Sequence, residues 1–567
     1  MDNLLDDIIF KIIEHKPKTK AKFDDARRKV CGKIKTTQPS NRDLLQAYQN
    51  LVKKKRVERD KILERFMRKA DIRTLSGVAV VTSLCKPYNC PGNCIYCPLE
   101  AKMPKSYLSS EPAAARALGL AFDPYEQMQK RIEMLRRSGH PTDKIEYIIK
   151  GGTWNAYPLK YQYWFILESF RACNNLTRRK VKTRFIASQP VEKLQELLED
   201  EQNYNDKIAK HKIIGLTLET RPDAVNPTTI YHMRRQGCTR VELGLQAPDD
   251  KILKLVDRGH TVQQFRNAMT LLRSAGFKVD LHFMPDLPGT TAKHDVEMYQ
   301  SLFTDPGFKP DMVKIYPCTV IKSAPLYKWH KSGKYKPYPE KKLFEALMEM
   351  KSATPRYCRI SRLIRDIPTG DIEAGNSITN LREYLDSEMK KRGLKCKCLR
   401  CREVGHIMKT LKHESIKALA PKLFVDEYET TDGKEYFLSF EDTKRQVVFA
   451  FLRLRLPSIS KRGAGGELDK VLPETKDSSF IRELHTYGQL LDLGTKNKSA
   501  SQHKGLGKKL VLEAESISKK NKYKKIAVIS GVGVRGYYRK LGYKKQGTYM
   551  MKTLTQIQNQ NSDYHKY

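Results

Sequence analysis

Long apolar runs are scarce in this sequence, and acidic residues are too few to balance its basic ones. No stretch approaches the roughly 18 uninterrupted apolar residues of a membrane span, which excludes a helical membrane protein. The N-terminus, Met1 to Asp7, opens acidic and lacks the basic and apolar segments of a secretory signal, so a cytoplasmic protein is expected. With 64 Asp and Glu against 106 Lys and Arg the formal net charge is +42, far beyond what solubility requires. A polyanion is the simplest partner, nucleic acid or an acidic membrane surface; a basic, solvated surface is the plainer account. Internal repeats are missing too, and 567 residues are too many for one core, so two to four folded units are expected. The twelve cysteines gather at metal-ligand spacings, which in a reducing compartment favours metal or cluster binding over disulfides.

Four segments follow from the changes of pattern. Residues 1–75 carry 21 Lys and Arg against 11 Asp and Glu, with Ile8, Ile9, Ile12 and Ile13 at helical spacing, and read as a basic helical module. Residues 76–317 alternate strand candidates (Val78 to Val81, Tyr147 to Ile149, Thr183 to Ala187, Ile213 to Leu218, Arg240 to Leu243, Val279 to Phe283, Met312 to Ile315) with amphipathic runs such as Pro124 to Arg137 and Thr261 to Ser274. That alternation predicts an α/β fold, a parallel barrel or open sheet with functional groups at the C-terminal strand ends. Residues 318–410 are rich in cysteine and arginine and read as a connecting lobe. Residues 411–567 hold strands such as Tyr436 to Phe440 and Val447 to Leu454, then one long helix and a further strand.

Directly after the first strand comes Cys85-Lys-Pro-Tyr-Asn-Cys90-Pro-Gly-Asn-Cys94-Ile-Tyr-Cys97. Its last three cysteines spell C-x-x-x-C-x-x-C with an aromatic before the final one, the radical S-adenosylmethionine signature. Three thiolates on one loop hold three irons of a 4Fe-4S cluster and leave the fourth open to the methionine amine and carboxylate. Structural zinc is the rival for these thiols, but it wants four ligands, commonly as two separated pairs. Cys90, Cys94 and Cys97 are the expected ligands, with Cys85 a neighbouring thiol able to compete. Gly151-Gly152-Thr153 follows the next strand, where enzymes of this class often carry Gly-Gly-Glu against the methionine amine; Thr153 stands in place of the glutamate, and a plain turn is the alternative.

A second motif lies near the C-terminus. Gln502-His-Lys-Gly505-Leu506-Gly507-Lys508 runs straight into an amphipathic helix, so glycines and free N–H groups meet at a helix start, where a pyrophosphate is held. This is the Q/R-x-x-G-x-G pattern of GNAT acetyltransferases, supported by Tyr538-Arg-Lys-Leu-Gly542-Tyr543, which resembles the GNAT segment whose tyrosine reaches the thioester sulfur. The resemblance places Glu483, Leu484, His485 and Thr486 where two strands splay around pantetheine; a buried core strand is the alternative.

Radical and GNAT motifs in one chain, in this order, resemble the catalytic subunit of Elongator and its single-chain archaeal and bacterial relatives. The likeness is carried also by Leu218-Glu-Thr-Arg-Pro-Asp223, Glu242-Leu-Gly-Leu-Gln246, Met284-Pro-Asp-Leu-Pro-Gly289 and Arg365-Asp-Ile-Pro368. It implies a radical partial (β/α) barrel joined through a zinc-binding lobe to a GNAT-type α/β domain. It also implies carboxymethylation of the wobble uridine of a tRNA anticodon stem-loop: an adenosyl radical abstracts hydrogen from the acetyl methyl of acetyl-CoA, the carbon radical adds at uracil C5, and the thioester is hydrolysed. An external electron donor is then needed, and a homodimer or accessory subunits stay open. The resemblance adds Lys144 as a CoA contact and catalytic candidate beside Tyr538; a surface lysine is the alternative. Cys396, Cys398 and Cys401, with Cys318 as fourth ligand or His406 competing for that place, form a candidate zinc site. Three basic tracts, Lys53 to Lys69, Arg178 to Arg184, and Arg356, Arg359, Arg362 and Arg365, are expected to hold RNA phosphates. The rival functions are a protein lysine acetyltransferase with a structural cluster, a non-catalytic RNA-binding scaffold and a radical methylthiolase.

Overall fold

The computed structural model describes residues 2–68, 74, 76–176, 189–407, 420–458, 465–487 and 505–554. The strand expected at 183–187, Gln502 and the basic tract at 178–184 lie outside them. Four helices open the chain, Asp2–Glu14, Lys20–Lys33, Asn41–Lys53 and Lys61–Met67. The last three begin where Thr19, Ser40 and Asp60 side chains accept the first free N–H groups. Ile8, Ile9 and Ile12 bury against Phe23, Leu44, Leu45 and Tyr48 in a small core of their own. Arg68 Nε donates to the Gly139 carbonyl at 2.7 Å, seating this bundle on the barrel that follows.

In that barrel, β1 (Ala79–Leu84), β2 (Lys144–Lys150), β3 (Lys212–Thr220), β4 (Arg240–Gln246), β5 (Lys278–Phe283) and β6 (Met312–Ile315) stand in chain order in one parallel sheet. Helices Pro124–Arg137, Leu159–Asn174 and Val262–Ser274 return the chain between strands and pack against the sheet, as parallel pairing requires. After a short β7 (Val320–Ile321), β8 (Arg359–Arg362) adds a seventh parallel strand beside β6, and β9 (Ile372–Ala374) pairs with β7. β8 comes from the stretch expected to be a connecting lobe. Its sequence, Arg-Ile-Ser-Arg, has one apolar side chain in four, so hydropathy does not mark it.

The C-terminal sheet contains β10 (Lys422–Thr430), β11 (Gly433–Glu441), β12 (Val448–Pro457), β13 (Ser478–Thr486), β14 (Lys525–Val528), β15 (Lys544–Gln546) and β16 (Tyr549–Thr553), in the order β10-β11-β12-β13-β14-β16-β15. β12 pairs with β13 out to Thr486, whereas β14 runs parallel to β13 only from Ser478 to Ile481. Beyond Ile481 the two strands part, opening a V in the sheet.

This sheet is locked onto the barrel at the N-terminal ends of the barrel strands. A Cβ on Gly531 would sit 1.9 Å from the Ile214 carbonyl oxygen, and one on Gly533 2.6 Å from Lys212 Cβ, so only glycine permits the approach. Fully buried Arg482 donates to Asp311 of the barrel at 3.0 Å and to Glu435 at 2.9 Å, and Arg539 pairs with Asp206 at 2.7 Å. Among the described residues no helix is long and apolar enough to cross a membrane.

Candidate active site

The cysteine loop leaves the C-terminal end of β1, where β/α barrels place their chemistry. Its shape is held from several sides: Lys105 Nζ donates to the Gly92 carbonyl at 2.5 Å, Ile95 N to Val256 O at 3.1 Å, and Arg258 Nη1 reaches Cys94 Sγ at 3.4 Å. A hydrogen bond from the Cys97 thiol and the Arg258 cation together bring Cys94 down to about 4 against the opposing effect of burial, while Cys97 is pushed up by the same contact. Thr153 Oγ1 lies 3.7 Å from Cys90 Sγ, so the residue standing for the usual glutamate faces the loop; Gly152 before it has φ +86°, a backbone that glycine favours. Cys85 is buried beside Gly151, and burial pushes its thiol far up, which marks it as a packed neighbour.

At the other end, Gly505 (φ +95°) starts the helix Leu506–Lys520, whose first N–H groups have no partner within the helix. A Cβ on Gly507 would lie 3.0 Å from Tyr537 Oη and 3.3 Å from Thr486 Cγ2, so this turn packs against the parting end of β13. The expected positions Glu483, Leu484, His485 and Thr486 are the residues that have left β14. Leu484 and Thr486 face the glycine turn, while Glu483, on the alternate face, takes Arg453 Nε at 2.9 Å and Lys278 Nζ at 3.3 Å. Tyr538 is buried behind them, and Lys508 is exposed on the helix.

One cavity of about 1100 Å³ joins these ends, lined by Cys90, Cys94, Cys97 and Thr153 at one side and by Glu483, His485 and Tyr538 at the other. Between them it runs through the barrel, lined by alternate residues of each strand: Glu146, Ile148 and Lys150 of β2, Arg240, Glu242 and Gly244 of β4, Lys278, Asp280 and His282 of β5, Met312 and Lys314 of β6. Sequence reasoning missed this charged lining. Its signal is the charged residues at alternate positions, Glu146 and Lys150 of β2, Arg240 and Glu242 of β4, and Lys278 and Asp280 of β5, which the apolar-run reading of strands passes over. At its centre Glu242, 1% exposed, pairs with Lys150 and Lys314 and lies 3.4 Å from His282 Nε2. Burial opposes its charge, yet the two ammoniums hold Glu242 well below the usual carboxylate range. His282 is pushed down by burial and by Lys314, and so is neutral near pH 7. Glu219 accepts from Tyr107 Oη at 2.6 Å on the cluster side.

Lys144 lies elsewhere. It is exposed at the outer end of β2, paired in register with Lys212, and is not among the residues lining the cavity. The arginine tract is also largely spent inside: Arg359 pairs with Glu403, Arg365 with Glu111, and Arg356 donates to the Arg445 carbonyl at 2.6 Å. Arg362, 46% exposed, pairs with Asp366 and, like Arg359 and Arg365, lines the cavity described above.

Cys396, Cys398 and Cys401 bring their sulfurs within 4.8 Å of one another. Tetrahedral zinc with Zn–S near 2.3 Å sets sulfurs about 3.8 Å apart, so this set suits a single ion. Hydrogen bonds from Cys396 and Cys401 hold Cys398 well below the usual thiol range. Cys318 does not join them, a correction to the expected ligand set: it is buried against Tyr335 and Asp286, with its N donating to Pro285 O at 2.9 Å. His406 is turned to Glu403, 3.3 Å away.

The Radical SAM superfamily model matches residues 86–302, and that of the Radical_SAM C-terminal domain residues 310–391. The chain is 43% identical to a tRNA uridine(34) acetyltransferase of Methanocaldococcus jannaschii over 91% of its length and 90% of that protein. It is 38% identical to Elongator complex protein 3 of Schizosaccharomyces pombe, over 87% and 88% of the two chains. The solved structure of the Methanocaldococcus infernus Elp3 with an N-terminal deletion superposes with a TM-score of 0.68 at 39% identity, covering 84% of this chain and 99% of that one. The cluster loop, the charged barrel and the parting strands thus sit in a chain that belongs to the family of tRNA uridine(34) acetyltransferases and Elongator complex protein 3.

Proposed function

We propose that this protein modifies the wobble uridine of tRNA, building a 5-carboxymethyl group from acetyl-CoA by radical chemistry. The observation that supports it most is the single cavity between the cysteine loop and Tyr538, which lets a group held by the C-terminal domain meet a radical formed at the loop. The relatives carry the substrate in their names. Cys90, Cys94 and Cys97 would hold a 4Fe-4S cluster, which with S-adenosylmethionine would supply a 5'-deoxyadenosyl radical. The donor set fits: three thiols on one loop, Cys94 held low by the hydrogen bond from Cys97 and by Arg258, and Thr153 beside Cys90.

The chain's own residues then do the positioning. Gly505 and Gly507 bring helix N–H groups to the CoA pyrophosphate, with Lys508 beside them. The backbone of Glu483 to Thr486 pairs with pantetheine, and Tyr538 meets the thioester end. Lys144, exposed at the end of the barrel where Gly533 packs, suits a CoA phosphate better than the reacting carbon. Zinc on Cys396, Cys398 and Cys401 fixes the lobe between the two sheets. A lysine acetyltransferase fits less well, because Glu483, His485 and Tyr538 open into the barrel and share its interior lining.

The test is mass spectrometry of tRNA after anaerobic incubation with reconstituted protein, S-adenosylmethionine, acetyl-CoA and a reductant. Carboxymethyluridine at the wobble position is expected. Cys94→Ala should abolish cleavage of S-adenosylmethionine while CoA binding survives. Full cleavage by an iron-replete Cys94→Ala preparation would refute the assignment.

A further inference from the structure

The radical reading needs an electron from outside, and the outer face of the cysteine loop is built unlike its inner face. Cys90, Cys94 and Cys97 line the cavity, whereas Tyr88 and Leu159 do not. Tyr88, two residues before Cys90, is 43% exposed and stacks on Tyr157 with ring centroids 4.9 Å apart; Tyr157 stacks in turn on Tyr161 at 5.0 Å. The stack grips the loop: Tyr157 Oη donates to the Lys86 carbonyl at 2.7 Å, and Tyr161 Oη accepts from Lys86 N at 3.0 Å. Leu159, 37% exposed, adds apolar surface, and Lys86 and Lys160 are exposed on the same two segments. Half-buried Cys90 thus has the cavity on one side and an aromatic, basic surface patch on the other.

We propose that this patch is the docking surface for a small acidic iron–sulfur electron carrier, and that the electron enters through the Cys90 side of the loop. The inference rests on the radical reading above. Small apolar contacts rimmed by complementary charge suit transient redox encounters, which bury less than about 1,200 Å². The chain's charge of +42 draws an acidic carrier and repels a second copy of the chain. The step is a single electron transfer: the carrier's cluster loses one electron, the enzyme's cluster gains it, and no bond or proton moves. Because the patch lies off the cavity, the carrier can deliver its electron while the substrate stays in place.

The experiment uses reduced plant-type 2Fe-2S ferredoxin as probe and dithionite as a reductant too small to need docking. Lys86→Glu/Lys160→Glu is compared with the parent, and Tyr88→Ser serves as a second variant. With ferredoxin, 5'-deoxyadenosine formation at low salt should fall on the order of 10-fold in both variants, while the dithionite arm stays within about twofold. Binding of oxidised ferredoxin to the cluster-free protein, measured by calorimetry, should weaken on the order of 10-fold in the charge variant and show a shallower salt dependence. Equal loss in both reductant arms, or unchanged ferredoxin binding and turnover, overturns the proposal. Loss of tRNA affinity with intact ferredoxin turnover also overturns it and gives the patch to RNA. A parent protein that makes no 5'-deoxyadenosine even with dithionite would overturn the radical reading itself.

Discussion

Glu242→Gln is the sharpest probe of the barrel interior, because it keeps the side chain's shape and removes the carboxylate set between Lys150 and Lys314. Taking one partner out of a buried ion pair costs about 3–5 kcal/mol, since the remaining charges lose their compensation. For a domain of this size that lowers the melting temperature by roughly 6–20 °C. The pH dependence carries the diagnosis. In the parent, Glu242 lies below its unfolded value, so its contribution is present above about pH 4.3 and is lost as pH falls through the lower folded value. Burial works against the Lys314 ammonium, yet Glu242 raises it above the ordinary lysine value, so that contribution is full below about pH 10.4 and lost only as pH rises through the folded value. Without Glu242, burial meets less opposition and Lys314 comes down from its raised value, with Asp280 and Glu219 still beside it. The folded variant then gives up the Lys314 proton sooner than the folded parent, so the deficit narrows as pH rises toward and past about 10. Melting curves by circular dichroism at each pH, for the parent, Glu242→Gln and Glu242→Gln/Lys314→Met, decide the matter. The double variant should recover part of the loss and flatten the pH slope. A deficit equal at every pH, or a double variant no better than the single one, would refute the reasoning.

Three further outcomes are expected. Metal analysis should find about one zinc per chain besides the cluster iron, lost in Cys396→Ser/Cys398→Ser and retained in Cys318→Ser; zinc lost from Cys318→Ser would restore that residue as a ligand. Gly507→Val pushes a branched side chain against Tyr537 and Thr486, and calorimetry should show acetyl-CoA binding weakened on the order of 10-fold, with dithionite-driven cleavage of S-adenosylmethionine intact. Alanine at Lys53, Lys54, Lys55 and Arg56 should weaken tRNA binding and flatten its salt dependence, by roughly 0.7–0.9 log units per tenfold salt for each phosphate no longer neutralised; an unchanged slope would remove this segment from the RNA path.

What the sequence made legible was the chemistry carried by local spacing. Cys90, Cys94 and Cys97 are one loop, Gly505 to Lys508 one turn, and Glu483 to Thr486 one strand end, so their mutual placement needs no tertiary information. The charged barrel lining was hidden because Lys150, Glu242, His282 and Lys314 come from four strands and meet only after the sheet has curled. The ion pairs of Arg359 with Glu403 and of Arg365 with Glu111 were hidden for the same reason, since both carboxylates arrive from elsewhere in the chain. Cys318 was matched to the other thiols by count, but the cysteine packs on Tyr335, away from the loop of residues 396–401.

The glycine seat of the C-terminal sheet has a bearing on protein engineering. With Gly531 and Gly533 pressed onto the backbone of β3 and Arg482 sunk into Asp311, the two halves behave as one casting and are not parts joined by a hinge. Grafting an acetyltransferase half from a relative onto this barrel would import mismatched surfaces at a seam that has no room for a methyl group. Chimeras should therefore be cut within the loops on either side of the pair, exchanging β3 together with residues 531–533, and variants that seek a new acyl donor should reshape the channel lining and leave the seam alone.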